Sequence, residues 1–353
     1  MNKPKSDKKQ RVVVICPGRG TYNKEELGYL KHHHGNKKDL VDCIDQYRRE
    51  HNQISIAALD AMEKYNLSKH TAGENASALI YGCARADFQD INQDLYEIVA
   101  VTGNSMGWYI ALALSGALNA VNAIKLINTM GSMMSDGIIG GQLIYPIVNE
   151  EWQVQSQVKT QTLKSVNEVN KITENEVYLS IELGGYLVFG GNKKGLKALE
   201  RKLPVVQDKY PMNLFNHAAF HTPLLKDIAN RAQALLPSSL FSSPDIPLID
   251  GRGKIWQPLS TDPQQLYNYT LNTQVVEPYN FSRAIEVAVK EFAPDKLIIL
   301  GPGSTLGGSV AQCLIVHQWL GLNNKSDFIK QQKSNPYLLA MGLSEQRKHL
   351  VSA

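Results

Sequence analysis

The segment Val101-Thr-Gly-Asn-Ser-Met-Gly-Trp108 constrains this chain more than any other. A short apolar run, Tyr96 to Val101, precedes it and reads as a strand. Ser105 to Leu118 follows as an almost wholly apolar stretch, so it reads as a buried helix. Strand, sharp glycine turn and buried helix is the repeating unit of α/β folds with a parallel sheet. A serine at the tip of such a turn is presented at the end of the sheet. It becomes a nucleophile when a base is beside it. Gly103 and Gly107 let neighbouring backbones pass close to it. The Met106 amide, at the start of the helix, points where an oxyanion would form, and the helix dipole adds positive potential there.

The rest of the chain supplies a setting for that turn. Arg11 to Cys16 is an apolar β-branched run ending in Pro17-Gly-Arg-Gly20, which reads as a buried first strand feeding a tight loop. Leu40 to Tyr65, Ala76 to Phe88 and Val121 to about Met134 read as helices. From about Gly140 the rhythm changes. Gln142–Val148 reads as a strand, Trp152–Asn170 as a helix, and Val177–Glu182 and Tyr186–Phe189 as strands. Lys193–Leu203 then reads as a helix and Gln207–Phe215 as a strand. This β-α-β-β-α-β order is the ferredoxin-like split unit. The large-domain pattern returns after Phe220. It includes an amphipathic helix over Ser282–Phe292, a strand over Lys296–Leu300, the turn Gly301-Pro-Gly303 and a helix from about Leu306. The division expected is a large α/β domain over residues 11–136 and 217–322, a ferredoxin-like subdomain over 137–216, and peripheral tails over 1–10 and 323–353.

Bulk properties exclude several classes. A net charge of +4 over 353 residues is too small to argue for nucleic acid. No apolar run is long enough to span a bilayer, and the polar start carries no secretory signal. The four cysteines, Cys16, Cys43, Cys83 and Cys313, are scattered, which fits buried thiols in a cytoplasmic protein. His32-His33-His34 has no carboxylate or cysteine at ligand spacing, so a solvated loop is expected and no metal. The loop Pro17–Gly20 lacks both nucleotide-binding signatures.

Four segments in one order resemble the acyltransferase family of malonyl-CoA:acyl-carrier-protein transacylases and polyketide synthase acyltransferase domains. They are Val14-Ile-Cys-Pro-Gly-Arg-Gly20; the Ser105 turn with Tyr109 and Ser115-Gly-Ala-Leu118; Ala219-Phe-His-Thr-Pro-Leu224; and Leu300-Gly-Pro-Gly303 with Leu306. The resemblance covers roughly residues 11 to 315. It implies an α/β-hydrolase-like large domain with the ferredoxin-like insert, and a Ser105–His221 dyad working by a ping-pong route. His217 is the rival base, outside the motif. The resemblance also implies an oxyanion hole from the amides of Met106 and Arg19, and a backbone carbonyl near Asn280 that orients the histidine. The substrates implied are a coenzyme A thioester as donor and the phosphopantetheine thiol of an acyl carrier protein as acceptor, in fatty acid or polyketide synthesis. No permanently bound cofactor and no membrane partner are implied.

The departures fall where the family reads its acyl group. The position of the family's carboxylate-binding arginine, 25 residues after the serine, is Met130. A buried carboxylate without a cation is disfavoured, so an uncharged acyl group is expected. Arg19 replaces a glutamine. Its side chain is expected to turn outward, with an inward rescue of the missing clamp as the alternative. Asn104 stands where histidine is usual, Trp108 (a packing residue or a wall of the pocket) where glutamate is usual, and Asn75 or Ala76 is closest to a missing glutamine. Met130, Asn104, Trp108 and Asn75 are therefore the expected pocket residues. Hydrolysis of acyl carrier protein thioesters and a conventional serine esterase stay open as alternative activities, as does a non-catalytic binding role.

Overall fold

β1, Gln10–Cys16, carries five successive residues, Val12 to Cys16, with 0% exposure. A strand buried on both faces needs cover above and below and a neighbour on each edge. The computed structural model describes residues 8–135 and 137–352, and in it β1 has both. β2, Tyr96–Gly103, pairs in parallel along one edge, and β10, Lys296–Ile299, along the other. β7, Leu248–Ile249, continues in parallel from β2, and β8, Ile255–Trp256, closes that side antiparallel. With β11, Leu338–Ala340, the order is β11-β10-β1-β2-β7-β8. The C-terminal ends of β1 and β2 lie together at the centre, which is where ligands bind in open α/β sheets.

The helix Gly107–Leu114 is buried at every residue, as its lack of a polar face requires. Beside it, the helices Gly73–Asp90 and Ala120–Ser132 meet through two glycines. A Cβ on Gly73 would run into the Gly131 carbonyl, and one on Gly131 into the Gly73 carbonyl. This contact brings Met130 beside the start of the longer helix.

The second sheet contains β3 (Gly141–Pro146), β4 (Val177–Leu183), β5 (Tyr186–Gly191), β6 (Met212–Asn213) and β9 (Tyr279–Asn280) in the order β6-β3-β5-β4-β9. The first four, with the helices Ser156–Val169 and Lys193–Lys202, form the ferredoxin-like unit around its own core of Leu143, Val177, Phe189 and Leu199. β9 comes from the large-domain chain and pairs in parallel with β4 through Ile181–Tyr279 and Glu182–Asn280. The next residue begins the helix Phe281–Phe292, so this short pairing fixes the small sheet against the large domain.

The structure departs from the sequence reading in four places. The expected helix Leu40–Tyr65 is two helices, Lys38–Glu50 and Ile56–Asp60. Asn52 adopts φ 55° between them, and Ser55 caps the second through its side chain. The expected strand Gln207–Phe215 shrinks to β6, because Gln207 and Asp208 take left-handed turn conformations. His34 is not in a solvated loop. It closes the helix Tyr29–His34, buried, with Nε2 2.8 Å from Asp87. The segment expected as a peripheral C-terminal tail supplies the edge strand β11, and its Arg347 pairs with Asp87 and Asp90. Of the N-terminal tail, residues 1–7 lie outside the described residues, and β1 begins at Gln10.

Candidate active site

Ser105 sits one residue beyond Asn104, whose amide donates to the Cys16 carbonyl at 3.2 Å and so ties the turn to the end of β1. It adopts φ 55°. A non-glycine residue held in the left-handed region costs about 1–3 kcal/mol and persists only where its surroundings impose it. Here they do. A Cβ on Gly103 would overlap the Gly107 backbone, and one on Gly107 would overlap the Cys16 and Pro17 carbonyls. The two glycines are the residues that let β2, β1 and the following helix converge under the serine.

His221 also has a positive φ, 57°. Its Nε2 lies 2.7 Å from Ser105 Oγ, and its Nδ1 lies 2.6 Å from the carbonyl oxygen of Gln274. A carbonyl only accepts, so Nδ1 carries the proton. Nε2 then presents its lone pair to the serine hydroxyl. Burial drives the imidazole well below its ordinary range, to about 4, and the hydrogen bond to Gln274 pulls it back only in part. The ring is therefore neutral at physiological pH, as a base must be.

The Gln274 carbonyl is free for a local reason. In a continuing helix it would accept from the amide four residues on, and that residue is Pro278, which has no N–H. The short helix Gln274–Val276 ends there, directly after a π-helical turn over Tyr269–Thr273. Such turns are frequent at functional sites. The Gln274 side chain accepts from Tyr109 Oη at 2.8 Å and donates to the Ser105 carbonyl at 3.2 Å. One glutamine thus ties base and nucleophile together. Tyr279 lies against the His221 ring and donates to the Gly103 carbonyl at 2.5 Å.

After Ser105, the amides of Gly107, Trp108 and Tyr109 donate to the carbonyls of Asn104, Ser105 and Met106. The amides of Met106 and Arg19 have no hydrogen-bond partner among the described residues. Both residues line the same cavity as Ser105. This is the arrangement an oxyanion hole needs.

Two spaces meet at Ser105. One is a cavity of about 60 Å³ walled by Met130, Met133, Met134, Leu225, Ile228 and Val275, with Ser77, Arg19 and Phe220 also at its surface. The other is a groove of about 490 Å³ between the two sheets. It is lined among others by Asn104, Gln142, Tyr186, Lys209 and His217.

Several expected residues stand elsewhere. The histidine-orienting carbonyl belongs to Gln274, not Asn280. The Asn280 side chain instead caps the helix Phe281–Phe292 by accepting from the Arg283 amide. Trp108 does not line the cavity. It is fully buried, donates to Thr270 at 3.0 Å and packs edge-on against Tyr269. Asn75 is also structural, bonded to Arg48 and the Lys69 carbonyl, and Ser77 takes the place at the wall expected of it. Asn104 lines the groove, and Met130 lines the cavity as expected. His217 bonds Gln142 at 2.7 Å and makes no hydrogen bond to Ser105 among the described residues. Arg19 turns inward, not outward. Its Nη2 donates to the carbonyls of Thr71 and Asn216 at 2.8 and 2.9 Å, and its guanidinium lies 5.4 Å from the Phe220 ring centre.

No family model matches the chain. It is 24% identical over 212 residues to the malonyl CoA-acyl carrier protein transacylase of Bacillus subtilis, covering 59% of this chain and 62% of that one. The chain thus spans less than two thirds of that relative's length. The Staphylococcus aureus protein of the same name is 20% identical over 304 residues, 85% of this chain and 91% of that one. Among solved structures, the malonyl-CoA:acyl carrier protein transacylase of Xanthomonas oryzae superposes with a TM-score of 0.73 at 14% identity, covering 97% and 98% of the two chains. The chain is a distant relative of the malonyl-CoA:acyl-carrier-protein transacylases. The transacylase fold accounts for the α/β domain with its ferredoxin-like insert. Among the described residues, no helix is long and apolar enough to cross a membrane.

Proposed function

We propose that this chain is an acyltransferase that moves an acyl group from coenzyme A to the phosphopantetheine thiol of an acyl carrier protein. The observation that carries the reading is the arrangement at Ser105, with a neutral base 2.7 Å from its hydroxyl and a carbonyl fixing that base's tautomer. His221 takes the serine proton as Oγ attacks the thioester carbonyl. The amides of Met106 and Arg19 hold the tetrahedral oxyanion. Collapse expels the coenzyme A thiolate, which takes the proton from His221, and leaves an acyl ester on Ser105. The acceptor thiol then enters by the groove, gives its proton to His221 and attacks the ester, which regenerates the serine. The chemistry asks nothing of a metal or a bound cofactor. The expectation of an uncharged acyl group, drawn from Met130 alone, is not carried over, because the cavity also holds Arg19.

Steady-state kinetics with acyl-coenzyme A and a holo-carrier protein test the reading. Parallel double-reciprocal lines and accumulation of acyl-carrier protein are expected. Release of free acid at the same rate with and without the carrier would identify a hydrolase instead.

A further inference from the structure

His217 is a second desolvated histidine, and the acyl transfer above does not use it. Its state is fixed by a chain of hydrogen bonds that runs in one direction only. The Phe220 carbonyl accepts from Ser180 Oγ at 2.7 Å. Ser180 has then given its proton, so it accepts from Gln142 Nε2, also at 2.7 Å. This turns Gln142 Oε1 towards His217 Nδ1, at 2.7 Å. An amide oxygen only accepts, so Nδ1 carries the proton and Nε2 is left with its lone pair. Nε2 has no hydrogen-bond partner among the described residues and is not among their sealed, unpartnered buried atoms, so it faces accessible space. The small sheet is shaped for this chain. β5, which lies between β3 and β4, passes Gln142 with Gly190, where a Cβ would crowd Thr222 and the Phe220 carbonyl. Ser180 is the extra residue of a bulge in β4, with Leu179 and Ile181 paired to β5 on either side of it.

The His217 ring packs edge-on against Phe220, with centres 6.1 Å apart. Burial, helped by the Arg19 charge, lowers its pKa to about 3, so the ring stays neutral. Phe220, Arg19 and His217 all line the groove that ends at Ser105. The groove therefore holds a neutral acceptor beside a cation, which repels a charged amine and suits an uncharged N–H. We propose that His217 is a binding residue for the carrier arm of the thioester, and that its Nε2 accepts a hydrogen bond from an amide N–H of a pantetheine arm lying in the groove. The inference rests on the acyl-Ser105 reading above. Space supports it. The cavity of about 60 Å³ is too small for the arm, and the groove of about 490 Å³ is in the range of small-molecule sites. A pantetheine arm carries two amides, and an amide N–H drawn out of water needs an acceptor. His217 supplies one without competing for the serine proton, since no hydrogen bond joins it to Ser105 among the described residues.

The test compares three thioesters as donors to Ser105: that of pantetheine, and those of two isosteres in which the inner or the outer amide N–H is replaced by CH2. Each is used as its acetyl and its malonyl form, with wild type and His217→Phe. For wild type, kcat/KM should be about tenfold lower with one isostere than with the pantetheine parent, the effect of leaving an acceptor unpaired. His217→Phe should lose about tenfold on the parent, mainly through KM, and no more than about twofold on that isostere. A merely structural His217, whose loss disturbs Gln142 and the sheet, would lower all three donors alike, and that result overturns the inference. So does a wild type that does not distinguish the three, which leaves the acyl-enzyme reading standing. A wild type that forms no acyl ester on Ser105 from any donor overturns both.

Discussion

Two buried polar clusters in this molecule are built to opposite rules. Around Asp87, the charged groups answer one another. Its carboxylate accepts from Tyr29 Oη at 2.8 Å and from the Gly301 amide at 2.7 Å, pairs with His34 and is bridged by Arg347, which also reaches Asp90. Around Ser105, groups are left with capacity to spare. Two amides have no acceptor among the described residues, a histidine is held neutral, and the Arg19 side chain donates only through Nη2 and meets no carboxylate among the described residues. The backbone there is strained at both Ser105 and His221. Burial alone would raise the Asp87 pKa, but His34 and Arg347 outweigh it and hold it below the ordinary carboxylate range. No opposing charge does the same for Arg19. Complete pairing marks a cluster that holds the fold, here the C-terminal segment against the helix Gly73–Asp90. Incomplete pairing marks one waiting for a ligand.

Substitutions should separate the two. His221→Ala removes the base and should lower acyl-enzyme formation by about 10³-fold, while the denaturation midpoint moves little. A midpoint collapse with a proportionate rate would place His221 among the structural groups instead. Asp87→Ala should do the reverse. Leaving Arg347 with Asp90 alone, and the Tyr29 hydroxyl and Gly301 amide without their acceptor, costs about 3–5 kcal/mol of stability, read by chemical denaturation, with little change in kcat/KM of the protein that stays folded.

Protonation gives a smaller effect with a definite sign. His221 is neutral above about 4, so the rate of Ser105 acylation should hold from pH 8 down to about 5 and fall only below that. A limb centred near 6.5 would mean that the imidazole is not desolvated as the structure has it. The folded pKa is depressed, so the unfolded chain takes up a proton first as the pH drops. This residue's contribution to stability is present above about 6.5 and is lost as the pH falls towards 4. His217, lowered by burial and by Arg19 to about 3, adds to the same loss. The smallest effect expected is at Pro278. Pro278→Ala restores an amide that competes for the Gln274 carbonyl, worth about 1 kcal/mol, or roughly fivefold in acylation rate. An unchanged rate would show that the carbonyl is fixed by other contacts.

The parts of the site legible in the sequence are those whose chemistry forces local backbone. Ser105 needs glycines at fixed spacing to sit on its turn, and His221 lies in a recognisable short motif. The fold was legible for the same reason, since the buried run Val12–Cys16 and the order of elements from 141 to 213 both follow from apolar patterning. Gln274 was not, because it works through a main-chain carbonyl that any residue carries. The informative signal was Pro278, four residues on, and it lies in neither motif. The direction of Arg19 was not legible because an exposed and an inward rotamer have one spelling. Trp108 and Asn75 stand close in sequence to cavity residues yet point into the core, where a partner on a distant segment, Thr270 or Arg48, claims them. The strand β11 is only three residues long and is defined by its neighbour β10 more than by its own pattern.

The central claim is that the oxygen of Ser105 carries the acyl group. Single-turnover acylation with malonyl-coenzyme A, followed by peptide mapping by mass spectrometry, tests it directly. The account predicts one adduct per chain, confined to the peptide bearing Ser105 and absent from Ser105→Ala. An adduct of equal yield in Ser105→Ala, or one mapped to another residue of the wild-type chain, would contradict it.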